Sequence, residues 1–187
     1  MARRLKPEVR RARILDTAMA IIDASGHRGL TMASLARACD LSTPGLLHYY
    51  PDIDTLLVAV VEHRDERDVA ALNSAARGPD GDLPVRAVLD AIVDNIAARP
   101  RAALLFASVQ ADALDPAHPG HVFFRERAER LAHWLAAHLG GPDAEPLAHR
   151  LFAAMDGLQL HYLRDPEGFD LRAQWAAVAD GLLDAHS

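Results

Sequence analysis

Apolar residues recur at intervals of three and four along almost the whole 187-residue chain, and no stretch alternates apolar and polar positions between hairpin turns. The pattern predicts an all-α protein of about nine helices. Ile14, Ala18, Ile21 and Ile22 share one face of a first helix over about residues 8–25, and Gly26 follows as its stop. Thr31, Ser42 and Asp52 stand as N-caps of the next three helices. Pro44 falls in a first helical turn, where its missing N–H removes no helical hydrogen bond. A longer helix covers about residues 54–76, ended by the turn run Arg77-Gly78-Pro79-Asp80-Gly81-Asp82. Val85, Val88, Leu89, Ile92 and Ile96 mark another, stopped at Arg99-Pro100. One more begins near Arg101 and ends before Asp115-Pro116, and Pro119-Gly120 separates it from a helix reaching Leu139. After the break at Gly140-Gly141-Pro142, two last helices cover about 146–163 and 171–185.

Residues 31–50 carry the most specific pattern. Two short helices joined by a turn of about four residues form a helix-turn-helix, which holds its second helix rigidly for insertion into a major groove. Leu35, Ala36, Leu41, Leu46 and Tyr50 form the expected internal seam. Thr43, Pro44, Gly45, Leu47, His48 and Tyr49 are left pointing outward. The first three are small enough to bring the backbone close to base edges; His48 and Tyr49 reach bases or phosphates one turn further on.

Ile14-Leu15-Asp16 in the first helix, the glycine break, the threonine cap and Gly45-Leu46-Leu47-His48-Tyr49-Tyr50-Pro51 together resemble a TetR-type transcriptional regulator. A second block, Asp156-Gly157-Leu158-Gln159-Leu160-His161-Tyr162-Leu163 followed by Asp165-Pro166, is similar to the dimerisation helix of such regulators. The resemblance implies a three-helix DNA-binding head over residues 1–53 and a helical effector-binding and dimerisation domain over 54–187. It implies a homodimer on a palindromic operator, most often a repressor, released by a small molecule. The DNA-binding set is then Arg10, Arg11, Thr31, Ser42, Thr43, Pro44, Gly45, Leu47, His48 and Tyr49. Three positions depart from the family pattern: Asp40 in place of the turn glycine, Leu47 in place of a frequent tyrosine, and Ile53 where a phosphate-binding lysine is common. The last two remove phosphate contacts and predict weaker affinity.

Charge placement agrees with a DNA-binding head. Residues 1–50 hold eight Lys/Arg against four Asp/Glu, a surplus of +4, and the formal net charge of −6 leaves −10 for the remainder. Arg13 and the Arg3-Arg4-Lys6 arm add phosphate or minor-groove contacts. The single Cys39 forms no intramolecular disulfide, and no secretory signal or membrane-length apolar run is present, so a cytoplasmic location without membrane contact is expected. No cofactor motif, phosphate loop or nucleophile–base pair stands out, so neither a cofactor nor an enzyme is expected. Asp112, Asp115, His118 and His121 sit in a proline- and glycine-broken loop, without metal-ligand spacing.

The helix at 146–163 is apolar around most of its circumference and requires partners on two sides. A second subunit supplies one of them in a four-helix bundle with the last helix; a wholly internal helix in a monomer is the alternative. Leu131, Leu135, Leu151, Ala154, Gly157, Leu158, Trp175 and Val178 are the expected interface. His63, Phe106, Gln110, Phe124 and Gln159 mix apolar bulk with a few polar groups as an effector pocket does, and each reads equally well as core or surface. The helix at 54–76 is the only expected link from head to body. A helical ligand-binding or protein-interaction module without operator specificity is the competing reading.

Overall fold

The computed structural model describes residues 6–78, 81–82 and 84–185. Arg3 and Arg4 of the basic arm, and Pro79 and Asp80 of the turn run, lie outside them. Among the described residues there are nine α-helices: α1 (Pro7–Ser25), α2 (Met32–Ala38), α3 (Thr43–Leu47), α4 (Ile53–Ala76), α5 (Val85–Ala98), α6 (Pro100–Asp112), α7 (His121–Leu139), α8 (Ala144–Arg164) and α9 (Leu171–Asp184). The turn after α4 contains a two-residue antiparallel pair, β1 (Arg77–Gly78) with β2 (Gly81–Asp82), which places Arg77 opposite Asp82.

Local chemistry sets the boundaries. Pro7 and Pro100 occupy first turns, where no N–H is required of them. Gly26 (φ 77°) and Gly140 (φ 69°) take left-handed φ values at the ends of α1 and α7. α8 starts two residues before the expected position, with Pro146 inside its first turn, and Asp170 caps α9 by accepting the Ala173 amide at 3.0 Å.

Two apolar clusters form. The first joins Ile14, Leu15, Ala18 and Ile22 of α1, Leu35 and Ala36 of α2, Leu46 of α3, and Leu56, Val58, Val60 and Val61 of α4. It also takes Leu105 and Val109 from α6. The second joins α5, α7, α8 and α9 around Leu89, Leu135, Leu147, Leu151 and Trp175. Trp175 Nε1–H donates to Asp90 Oδ1 at 2.7 Å, Arg86 Nε donates to the same oxygen at 2.8 Å, and Tyr162 Oη donates to the Ala97 carbonyl at 3.0 Å. These bonds satisfy the polar ends of groups whose apolar bodies are buried.

The expectation that the helix at 54–76 alone links head to body is corrected here. α6 is a second link: Leu105 and Val109 sit in the head's core, and Arg101 donates to the Asp23 and Ala24 carbonyls in the last turn of α1. A cation at orphan carbonyls is favoured by both hydrogen bonding and the helix dipole. Sequence order does not reveal this packing, since α6 follows α1 by 75 residues or more.

Candidate nucleic-acid interface

The helix pair α2–α3 is built from its caps. Thr31 Oγ1 accepts the Ser34 amide and Ser34 Oγ accepts the Thr31 amide, both at 3.0 Å, a reciprocal capping box. Ser42 Oγ accepts the Gly45 amide at 3.1 Å. A Cβ at Gly45 would lie 3.1 Å from that same Oγ, so glycine gives the cap its room. Asp40 takes φ 56° in the turn, the left-handed conformation that aspartate tolerates in place of glycine. Leu35, Ala36, Leu46 and Tyr50 are buried and Leu41 is half-buried against them, so the seam forms as the spacing predicts.

With the seam buried, Thr43, Pro44 and His48 are exposed and Leu47 is 39% exposed. Tyr49 departs from expectation. It is half-buried against the head's core, with its ring edge-on to His48 at a centroid distance of 5.8 Å, so it props His48 rather than standing free. Thr31 is also constrained, because its hydroxyl donates to Ser34 Oγ at 3.0 Å. Ser42 Oγ accepts within its cap and keeps its hydrogen available to a phosphate.

Arg11 and Arg13 are exposed on α1 and Arg37 lies in the last turn of α2; Arg10 is half-buried. Among the described residues none of the four guanidinium groups forms an ion pair or hydrogen bond, so their charge is available to a polyanion. The acid beside the site is otherwise engaged. Asp52 Oδ1 accepts the Thr55 amide at 2.7 Å at the start of α4, and that bond, followed by one from the Thr55 hydroxyl, holds its carboxyl below the ordinary range.

The residues proposed for an effector do not all converge. Phe106 and Phe124 meet edge-to-face at 5.3 Å, and the Arg127 guanidinium lies 4.7 Å from the Phe106 centroid while its Nε donates to Asp65 at 2.7 Å. Gln110 Nε2 donates to Asp156 Oδ2 at 3.3 Å. Crowding by surrounding protein pushes the Asp156 carboxyl up, against the Gln110 bond and the nearby Arg127. Gln159 is 7% exposed, and no described residue hydrogen-bonds its amide. His63 is directed elsewhere, to Asp16 Oδ1 at 3.1 Å. It lines a cleft of about 650 Å³ with Asp16, Met19, Ala20, Asp23, Arg64, Arg67, Asp68 and Arg99, apart from the phenylalanines.

Of the expected interface residues, Leu135, Leu151 and Trp175 lie fully within the protomer's own core, and Leu158 packs against it. Ala154, Gly157, Val178 and Leu131 are partly open. The exposed face of α8 and α9 adds Ala153, Leu160 (46% exposed), Ala177 and Gly181, which the periodicity does not single out. Small residues give a weak hydrophobic signal, although their i, i+4, i+7 spacing marks one helix face.

The sequence profile of bacterial regulatory proteins of the tetR family matches residues 14–60. The HTH-type transcriptional regulator BetI of Burkholderia mallei is 40% identical over 86 residues, 46% of this chain and 43% of that protein. The chain thus spans less than half the length of that relative in the matched region. BetI of Paraburkholderia xenovorans is 31% identical over 178 residues, covering 92% of this chain and 91% of the relative. The crystal structure of a transcriptional regulator from Rhodococcus sp. Rha1 superposes with a TM-score of 0.74 at 22% identity, covering 94% of this chain and 96% of that one. A transcriptional regulator from Saccharomonospora viridis, solved in complex with choline, gives 0.66 at 21% identity, covering 94% and 95%.

Proposed function

Because this chain belongs to the tetR family of bacterial regulatory proteins and is a DNA-binding transcriptional regulator, we propose that it acts as a homodimeric repressor on a palindromic operator. The observation that carries this reading is the cap-held α2–α3 pair, which exposes Thr43, Pro44 and His48 in a head whose α1 and α2 arginine side chains are unpaired. In this reading residues 1–53 contact DNA, and residues 54–187 bind an effector and dimerise. Thr43 and His48 read base edges, Pro44 touches a thymine methyl, and Arg10, Arg11 and Ser42 hold phosphates. The target places the protein in the cytoplasm; among the described residues no helix is long and apolar enough to cross a membrane.

The dimer forms through the open face of α8 and α9, where a Cβ added at Gly157 or Gly181 would meet nothing within 4 Å and Leu160 is exposed. A small molecule entering beside Phe106, Gln110, Phe124 and Gln159 releases the operator by binding the DNA-free form more tightly. Gln159 supports this by offering a side-chain amide that no described residue hydrogen-bonds, a polar group free to meet a ligand in an otherwise apolar setting. The choline complex of the Saccharomonospora viridis regulator makes choline a first effector to test.

The experiment is selection of duplexes from a random pool by the wild-type protein, followed by fluorescence anisotropy with and without choline. Recovery of a two-fold symmetric sequence, bound far more tightly than random duplex, supports the reading. Equal affinity for all duplexes refutes operator recognition.

A further inference from the structure

The side of α1 that faces α4 is held in two different ways. Ile14, Leu15, Ala18 and Ile22 press into the head's core, a contact that resists separation but is non-directional. Beside them Asp16, Met19, Ala20 and Asp23 border the cleft of about 650 Å³, so α1 has room to tilt on that side. Asp16 crosses this boundary: its Oδ1 accepts from Arg67 Nη1 at 2.8 Å and bonds His63 Nε2 at 3.1 Å, both from α4.

The α4 end of these ties is itself anchored. One residue beyond each of them on α4, Arg64 Nε donates to Asp68 Oδ2 at 3.2 Å, Asn95 Nδ2 of α5 donates to the same oxygen at 2.9 Å, and Arg99 Nη1 lies 3.7 Å from Oδ1. At the far end of α1, Arg101 holds the Asp23 and Ala24 carbonyls. Arg67 is 67% exposed and Asp16 53% exposed, so their pair adds little to global stability. Its directional bonds across an open cleft fix an angle instead. Arg10 stands six residues before Asp16, about 9 Å along the helix at ~1.5 Å per residue, so a tilt about Asp16 displaces a phosphate-contacting arginine.

We propose that Asp16, His63 and Arg67 are positioning residues for operator recognition, a clasp across the α1–α4 cleft that sets the angle of the head and thereby the half-site spacing the dimer accepts. The proposal rests on the two-headed operator reading above.

The test uses a duplex selected by the wild-type protein and resynthesised with its half-sites moved apart or together by one and two base pairs. Asp16→Asn and Arg67→Gln should bind the original spacing about fivefold more weakly, the ceiling for a partly exposed pair. Their affinities for the shifted duplexes should change little, flattening the spacing profile, while Arg67→Lys restores the wild-type profile. Amide exchange in residues 16–25 should rise severalfold in Asp16→Asn. A profile parallel to wild type, whether at equal or uniformly lowered affinity, overturns the proposal. Selection of single half-sites only would defeat the two-headed reading instead; unchanged amide exchange in Asp16→Asn then overturns the clasp independently.

Discussion

Gly157→Leu separates the fold of the protomer from its association. Position 157 lies inside α8, partly open, and a Cβ there meets nothing within 4 Å. Replacing a helix-interior glycine by leucine lowers the intrinsic cost of that turn by roughly 0.8 kcal/mol. The isolated protomer should therefore keep its circular dichroism spectrum. Across a two-fold interface the residue occurs twice. Overpacking a close helix contact costs roughly 1–3 kcal/mol per site, or about 2–6 kcal/mol for the dimer. At about 1.4 kcal/mol per decade, that weakens association roughly 30-fold to more than 10⁴-fold. Sedimentation equilibrium across micromolar concentrations, with spectra on the same samples, measures both quantities. A leucine variant that dimerises with wild-type affinity and an unchanged spectrum shows that Gly157 is not in the interface. A wild-type protein that sediments as a monomer at those concentrations removes the dimer altogether.

Leu105→Ala should cost about 2–5 kcal/mol in denaturant unfolding and weaken DNA binding, because it opens a cavity in the head's core from the body side; loss of stability with no change at the head's amides in hydrogen exchange would contradict that coupling. His48→Ala should relax operator preference by about 1–3 kcal/mol at one position, whereas Arg11→Ala should weaken all duplexes alike and lower the salt slope by about 1; full discrimination retained by His48→Ala removes it from the readout. Asp52→Ala should destabilise by about 1 kcal/mol through the lost cap. Since the folded Asp52 carboxyl titrates below its ordinary 3.8, its contribution is fully present above that pH and is lost as pH falls through the lowered value. The gap between the alanine variant and wild type should then be full at pH 6 and shrink as the pH is lowered below 3.8, read by thermal melts; a constant difference would show that the carboxylate charge is irrelevant.

Local signals are legible where chemistry acts within a few residues. Thr31, Ser42, Asp52 and Asp170 are side chains whose own geometry favours a cap, and the first three follow from their position in the sequence alone. Leu46 and Leu35 fall in the seam because the helical period leaves them no other face. The sequence pattern places Tyr49 outward, yet a long ring bends back onto the core, since direction from the backbone does not fix where a ring ends. Leu135, Leu151 and Trp175 read as interface residues because apolarity does not distinguish a partner's core from the protomer's own. His63 pairs with Asp16 across 47 positions, and Arg101 reaches α1 across 77, contacts that no local period encodes.

The burial of Leu105 and Val109 in the head's core bears on whether such heads are interchangeable parts. A head excised at residue 53, or transplanted onto another regulator's body, leaves uncovered the apolar surface that α6 covers and the carbonyls that Arg101 caps. A chimera preserving every DNA-contacting residue but taking α6 from a different parent would have to re-form that packing with side chains shaped for another neighbour. The natural crossover point for exchanging specificity thus lies within the body, past residue 112, rather than at the start of the connecting helix.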